Sequence, residues 1–186
     1  MRYSPLKLEE MTQRQREVAE AIGKRRVGGL DGPFVPLIYA PEVADRAQQL
    51  SEYLRFGLRT PERLRLLAVL QTARYYSSDA EFLAATKDAR EAGLADEKIK
   101  ALSEGRPPAD MTADEAMIYD FCAEIHTTGR VKNATFNRVE SRFNREVCLE
   151  LVIVCGYTAF SSMVHNVTQT ALPAGETKPL NPPTLR

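Results

Sequence analysis

Tryptophan is absent from the sequence, histidine occurs twice and cysteine three times in 186 residues. Each scarcity excludes something. Cys122, Cys148 and Cys155 form no C-x-x-C pair and no disulfide framework, so a reducing, cytoplasmic setting is expected. Cys148 and Cys155 fall on one predicted helix, about 10 Å apart along its axis at 1.5 Å per residue, beyond the roughly 7 Å between Cα atoms that a disulfide tolerates. All three cysteines therefore read as small buried apolar residues. Neither sign of charge prevails: 25 basic residues balance 25 acidic ones and the pI is near 6.8. The chain thus carries no electrostatic footprint for nucleic acid or for an anionic membrane. No apolar run is read as reaching the ~20 residues of a membrane span, and MRYSPLKLEE has no apolar core of a secretory signal. Cys122 and His126 share a helix face, but one cysteine and one histidine fall short of the three protein ligands a zinc site needs, so no metal or cofactor is expected.

Apolar residues make up 44% of the chain and mean hydropathy is −0.33, enough for a globular core. The stretch from Pro61 to Gly93 reads as the hairpin around which the rest packs. Its first helix, Pro61 to Tyr75, has Thr60 as N-cap and is apolar almost all round: Leu64, Leu66, Leu67, Ala68, Val69, Leu70, Ala73. Its second follows Ser77-Ser78, with Ser78 and Glu81 in capping-box spacing and Gly93 at the C′ position.

The remaining elements follow from caps and breakers. A helix over 12–26 opens on a Thr12–Gln15 capping box, ends in Arg25-Arg26 and is stopped by Gly28-Gly29. Its stripe of Val18, Ala21 and Ile22 is thin, which suggests packing on the surface or against another subunit. Prolines 33, 36 and 41 argue against a helix in the apolar stretch 30–41, which should lie over a pocket or an interface. Pro41 opens a helix to Phe56 with Ala44, Ala47, Leu50 and Leu54 on one face. A short helix spans Ala95–Leu102, and 103–110 is a linker. Thr112 and Glu115 box a helix that Gly129 ends, Asn133 caps 134–142, and a long helix covers 146–170. The Pro-rich tail should be extended or disordered. The expectation is one all-α domain over 1–174, a bundle of about eight helices with 1–29 as a helical arm and 175–186 as a tail.

The hairpin resembles the core of the carboxymuconolactone decarboxylase / alkylhydroperoxidase-D superfamily. That core reads R-E-L-x-I-L-x-x-A-R, then E-W-x-x-H, then A-x-x-A-G-L. Here the frame is Arg65-Leu66-Leu67-Ala68-Val69-Leu70-Gln71-Thr72-Ala73-Arg74, then Glu81-Phe82-Leu83-Ala84-Ala85, then Ala89-Arg90-Glu91-Ala92-Gly93-Leu94. The family's first Glu falls on Leu66 and its His on Ala85. Asp120-Phe121-Cys122-Ala123-Glu124, Gly129-Arg130-Val131, Ala134-Thr135-Phe136, Leu149-Glu150-Leu151-Val152 and Gly156-Tyr157 extend the resemblance over roughly residues 30–174. It implies the family's all-α fold and a homo-oligomer. The peroxidase branch uses a C-x-x-C pair, so turnover of alkyl hydroperoxides of that kind is not expected. The decarboxylase branch uses the E-W-x-x-H region for acid–base work on a carboxylated lactone, and of that set Glu81 alone is kept.

Glu81 is the first catalytic candidate, as general acid or base if desolvated against Phe82; the plain alternative is that it only caps Ser78. His165 is the second. It lies in the most apolar helix with Thr158, Ser161 and Ser162 on the same side, a polar stripe that faces a cavity, water or a subunit. It could supply the imidazole missing at Ala85. Candidate substrate contacts are Tyr39 in the loop, Tyr75, Tyr76 and Asp79 at the hairpin turn, and Ser162 and Asn166 beside His165. His126 sits in a last helical turn, where a cation is favoured for structural reasons. Two functions remain open: a cofactor-independent enzyme acting on a small carboxylated or lactone-like metabolite, or a catalytically degenerate relative that binds a ligand or partner.

Overall fold

The computed structural model describes residues 1–24 and 29–181. Among these, nine α-helices and no strand are found. They are α1 (Gln13–Gly23), α2 (Phe34–Leu37), α3 (Pro41–Phe56), α4 (Glu62–Tyr75), α5 (Asp79–Glu91), α6 (Asp96–Ser103), α7 (Ala113–Thr128), α8 (Asn133–Arg142) and α9 (Arg145–Thr168). The short 3-10 turn Leu8–Glu10 precedes α1.

Helix α4 is the axis of the bundle. Every residue from Leu64 to Arg74 is buried, because α5, α7 and α9 all pack on it. Its start differs from the expected one. Pro61, not Thr60, occupies the N-cap position, and the Thr60 amide and hydroxyl both donate to the Glu150 carboxylate of α9. The main core gathers Leu66, Leu67, Leu70, Phe82, Ile118, Phe121 and Leu151 around α4.

A second, smaller core joins α1 to the segment 30–41. Val18, Ile22, Phe34, Leu37, Ile38 and Ala44 bury one another. The thin stripe of α1 is thus covered within the chain, not by another subunit. The expected end at Arg25-Arg26 and Gly28 lies outside the described residues. The three prolines do not prevent a helix: Pro33 takes the N-cap of α2 and Pro36 its first turn, where a missing N–H costs nothing.

Helix α3 has the expected bounds, but Leu50 is 41% exposed; its buried positions are Ala44, Gln48, Ser51 and Leu54. Lys132, not Asn133, is the N-cap of α8, and no side chain caps it. The Thr112–Glu115 box forms reciprocally and Gly129 closes α7 at φ 68. The tail is strapped to the body up to Asn181. Leu180 enters the main core, its amide donates to Asp79, and the Asn181 amide donates to Ser103. By length and composition α9 is apolar enough to cross a membrane, contrary to the reading that no run approaches that length. Of its most apolar window, 56% is buried inside the bundle, as befits a core helix.

Candidate functional site

The site begins with the tight turn between α4 and α5. Ser77 adopts φ 52 after α4, and the Ser78 amide donates to the Ala73 carbonyl at 2.9 Å, a Schellman-type ending. Ser78 is also the N-cap of α5, its hydroxyl accepting from the Glu81 amide at 3.4 Å. A capping box would return the Glu81 carboxyl to the Ser78 amide, but that amide is already engaged by Ala73. The carboxyl turns inward instead. Its Oε2 accepts a hydrogen bond from the Ser161 hydroxyl and lies 3.4 Å from His165 Nε2.

Ser161 and His165 are four residues apart and therefore on one face of α9. His165 is 4% exposed, and neither its Nδ1 nor the Ser162 hydroxyl has a hydrogen-bond partner among the described residues. The loop before α2 passes over the imidazole at Gly32. This glycine adopts φ 52, and a Cβ there would lie 3.9 Å from His165 Cε1.

Glu81, Ser161 and His165 open on a cavity of about 600 Å³, within the usual range for small-molecule sites. Its walls come from α3, α4, α5 and α9, closed by the loop at Gly32–Phe34 and by the tail at Thr170–Pro173. Leu54, Leu66, Val69 and Ala85 make the apolar wall. Arg65 supplies a cation on the same lining. It is 7% exposed, and its guanidinium reaches the Glu62 carboxylate at 3.7 Å. Burial lowers its pKa, the Glu62 charge opposing, yet an arginine so placed stays protonated. Arg65 was missed in the sequence, although an arginine amid LRLLAVL in a buried helix is itself a signal.

The other predicted contacts lie elsewhere. Tyr39 is exposed, its hydroxyl donating to the Ser4 carbonyl and its ring set edge-on to Tyr3. The Tyr76 ring is set edge-on to Tyr75, and its carbonyl accepts from the exposed Asn166 amide; this bond ties the end of α4 to α9. Asp79 holds the tail. Ser162 is fully buried and does not line the cavity. Tyr75 lines a different cavity, where it stacks on His126. Among the described residues, no group of three His, Cys, Asp or Glu side chains is placed to hold a metal ion.

No family model matches the chain, and no curated protein matches it.

Proposed function

We propose that the chain is a cofactor-independent enzyme with the carboxymuconolactone decarboxylase / alkylhydroperoxidase-D-like fold, performing acid–base chemistry on a small carboxylated or lactone-like metabolite. The observation that carries this reading is the Glu81 carboxyl, released from its capping role and set against Ser161 and His165 at the wall of a mostly apolar cavity. Glu81 exchanges the proton with the substrate, and His165 shares that proton through the 3.4 Å contact. Arg65 draws the substrate carboxylate to the apolar wall. Leu66 and Ala85, which stand where the superfamily has Glu and His, both line this cavity and favour the second reading, a protein that binds such a ligand without turning it over.

Glu81→Gln and His165→Asn separate the two. A panel of carboxylated γ-lactones in deuterated water, followed by proton NMR, reads exchange and turnover directly. The enzyme reading expects a loss of at least a hundredfold in Glu81→Gln with the circular dichroism spectrum retained. Saturable binding of a panel member without exchange in the wild type establishes the second reading instead.

Self-association belongs to the same proposal, through a face other than the 12–41 region. On α9 the residues Leu149, Ile153, Gly156, Phe160, Met163 and Val167 recur at alternating spacings of four and three, the seam of a coiled coil. Leu149, Ile153, Met163 and Val167 are 45–65% exposed, and Val43 and Leu50 of α3 continue the surface beside Ile153 and Phe160. A second copy of this chain fits, because a repeating apolar seam complements itself across a two-fold axis.

A further inference from the structure

A second polar cluster lies where α4, α7 and α9 meet, away from Glu81. Cys122 of α7 and Cys155 of α9 are 33 residues apart in the chain, yet their sulfurs are 3.6 Å apart. Both are buried, Cys122 at 0% and Cys155 at 2% exposure. His126, one turn beyond Cys122 on α7, borders Cys155. Its Nε2 is 3.0 Å from the Thr72 hydroxyl of α4, and its ring stacks on Tyr75 with centroids 4.8 Å apart. His126 also lines a cavity of about 370 Å³ with Gln71, Tyr75, Tyr119 and Arg106. The pair is thus one side chain removed from a cavity.

We propose that Cys122 and Cys155 are a redox-convertible dithiol that a small oxidant, hydrogen peroxide, closes into a disulfide joining α7 to α9. The sulfurs need to move from 3.6 Å to about 2 Å for the bond to form. The two thiols are not equivalent. Hydrogen bonding to Cys122, then to His126, holds the Cys155 thiol well below its ordinary range against the burial that would raise it. The bond to Cys155 pushes Cys122 up. The groups acting on Cys155 are Cys122 and His126 from α7 and the Thr72 hydroxyl from α4.

With His126 and the Thr72 hydroxyl beside it, Cys155 is the attacking thiolate, its proton passing to His126. Its sulfur takes one oxygen of the peroxide as the O–O bond breaks. The departing hydroxide recovers the proton from His126 as water, leaving Cys155 as a sulfenic acid. Cys122 then attacks the Cys155 sulfur, the S–O bond breaks, and the leaving hydroxide takes the Cys122 proton. Two thiols are oxidised by two electrons in all, one peroxide is reduced, and two waters form. Burial limits the reagent to one the size of peroxide. Cys148, also buried and pushed up by desolvation, has neither partner and stays a thiol.

The test uses the full chain, treated with hydrogen peroxide, quenched with catalase, then unfolded and alkylated for mass spectrometry. The expected product is a monomeric species 2 Da lighter before alkylation, with Cys122 and Cys155 linked, Cys148 alkylated, and dithiothreitol restoring all three thiols. Cys122→Ser should stop at a Cys155 sulfenic acid trapped by dimedone, whereas Cys148→Ser should still form the linkage. His126→Asn should react at least tenfold more slowly near neutral pH, with the wild-type rate recovered at alkaline pH where the thiolate forms unaided. Three alkylatable thiols after treatment, or oxidation falling on Cys148, overturns the proposal without recourse to any variant. Equal rates for His126→Asn at neutral pH overturn the role of His126.

Discussion

Glu81 shows how one backbone amide decides what a carboxylate does. The Ser78–Glu81 spacing is that of a capping box, and sequence alone cannot tell that the Ser78 amide is already used by the end of the preceding helix. Glu115 in the same S/T-x-x-E spacing does form the box with Thr112, and its burial makes it a stronger structural residue. It is fully buried, with Lys98 at 2.6 Å and Arg63 at 3.2 Å. Although burial raises its pKa, the Lys98 bond and the further partners prevail and hold it below the ordinary carboxylate value. A depressed folded-state pKa adds stability that is present above the unfolded value and is lost as pH falls through the folded one. Glu115→Gln should therefore cost about 3 kcal/mol at neutral pH, as expected for a broken buried pair. The difference from wild type should shrink on acidification below the usual carboxylate range of about 4. Urea titrations across that range measure it, and a constant difference at every pH would contradict the assignment. Caps and charges of this kind were legible because they depend on neighbours a few residues away. The pairing of Glu115 with Arg63 was not, because 52 residues separate them.

At the scale of elements, periodicity placed α3, α5, α7 and α9 within a residue or two, and the breakers between them held. Gly129 is the clearest of these. It ends α7 at φ 68, a conformation L side chains adopt at a cost of roughly 1 kcal/mol or more. No atom outside its chain neighbours lies within 4 Å of a Cβ built there, so backbone strain alone should decide the effect. Gly129→Ala should lower stability by about 1 kcal/mol and Tm by about 3 °C, with the helical spectrum unchanged. Calorimetry checks this, and an unchanged Tm would show that the α7 terminus relaxes. The segment 30–41 shows the limit of such rules. Three prolines argued against any helix, yet Pro33 and Pro36 both fall where a helix needs no N–H, and the buried Phe34 anchors the turn.

For the whole molecule, the helical arm that looked unfinished in the sequence is completed by the chain's own α2 and α3, and the unfinished surface is instead the α3–α9 face. Sedimentation at tens of micromolar should give a discrete oligomer for the wild type and a folded monomer for Ile153→Glu, since Ile153 is 45% exposed and tolerates a charge in the single chain. A wild-type monomer at that concentration would remove the proposal, and so would an Ile153→Glu variant that sediments like the wild type.

The sequence by itself determined the all-α class, most helix bounds, the buried character of α4, and the polar stripe of α9, because each depends on local spacing at 3.6 residues per turn. It also singled out Glu81 and His165, the second as a source of the imidazole missing at Ala85. The tertiary structure decided what these residues meet. It set Glu81 against His165 across 84 residues of chain, added Arg65 to their cavity, placed Tyr39, Tyr75, Tyr76, Asp79, Ser162 and Asn166 outside its lining, and brought the sulfurs of Cys155 and Cys122 to 3.6 Å from each other. The reason is geometric: contacts between helices depend on how each helix is rotated about its axis and on what the intervening loops allow, and neither is written in the spacing of any one segment.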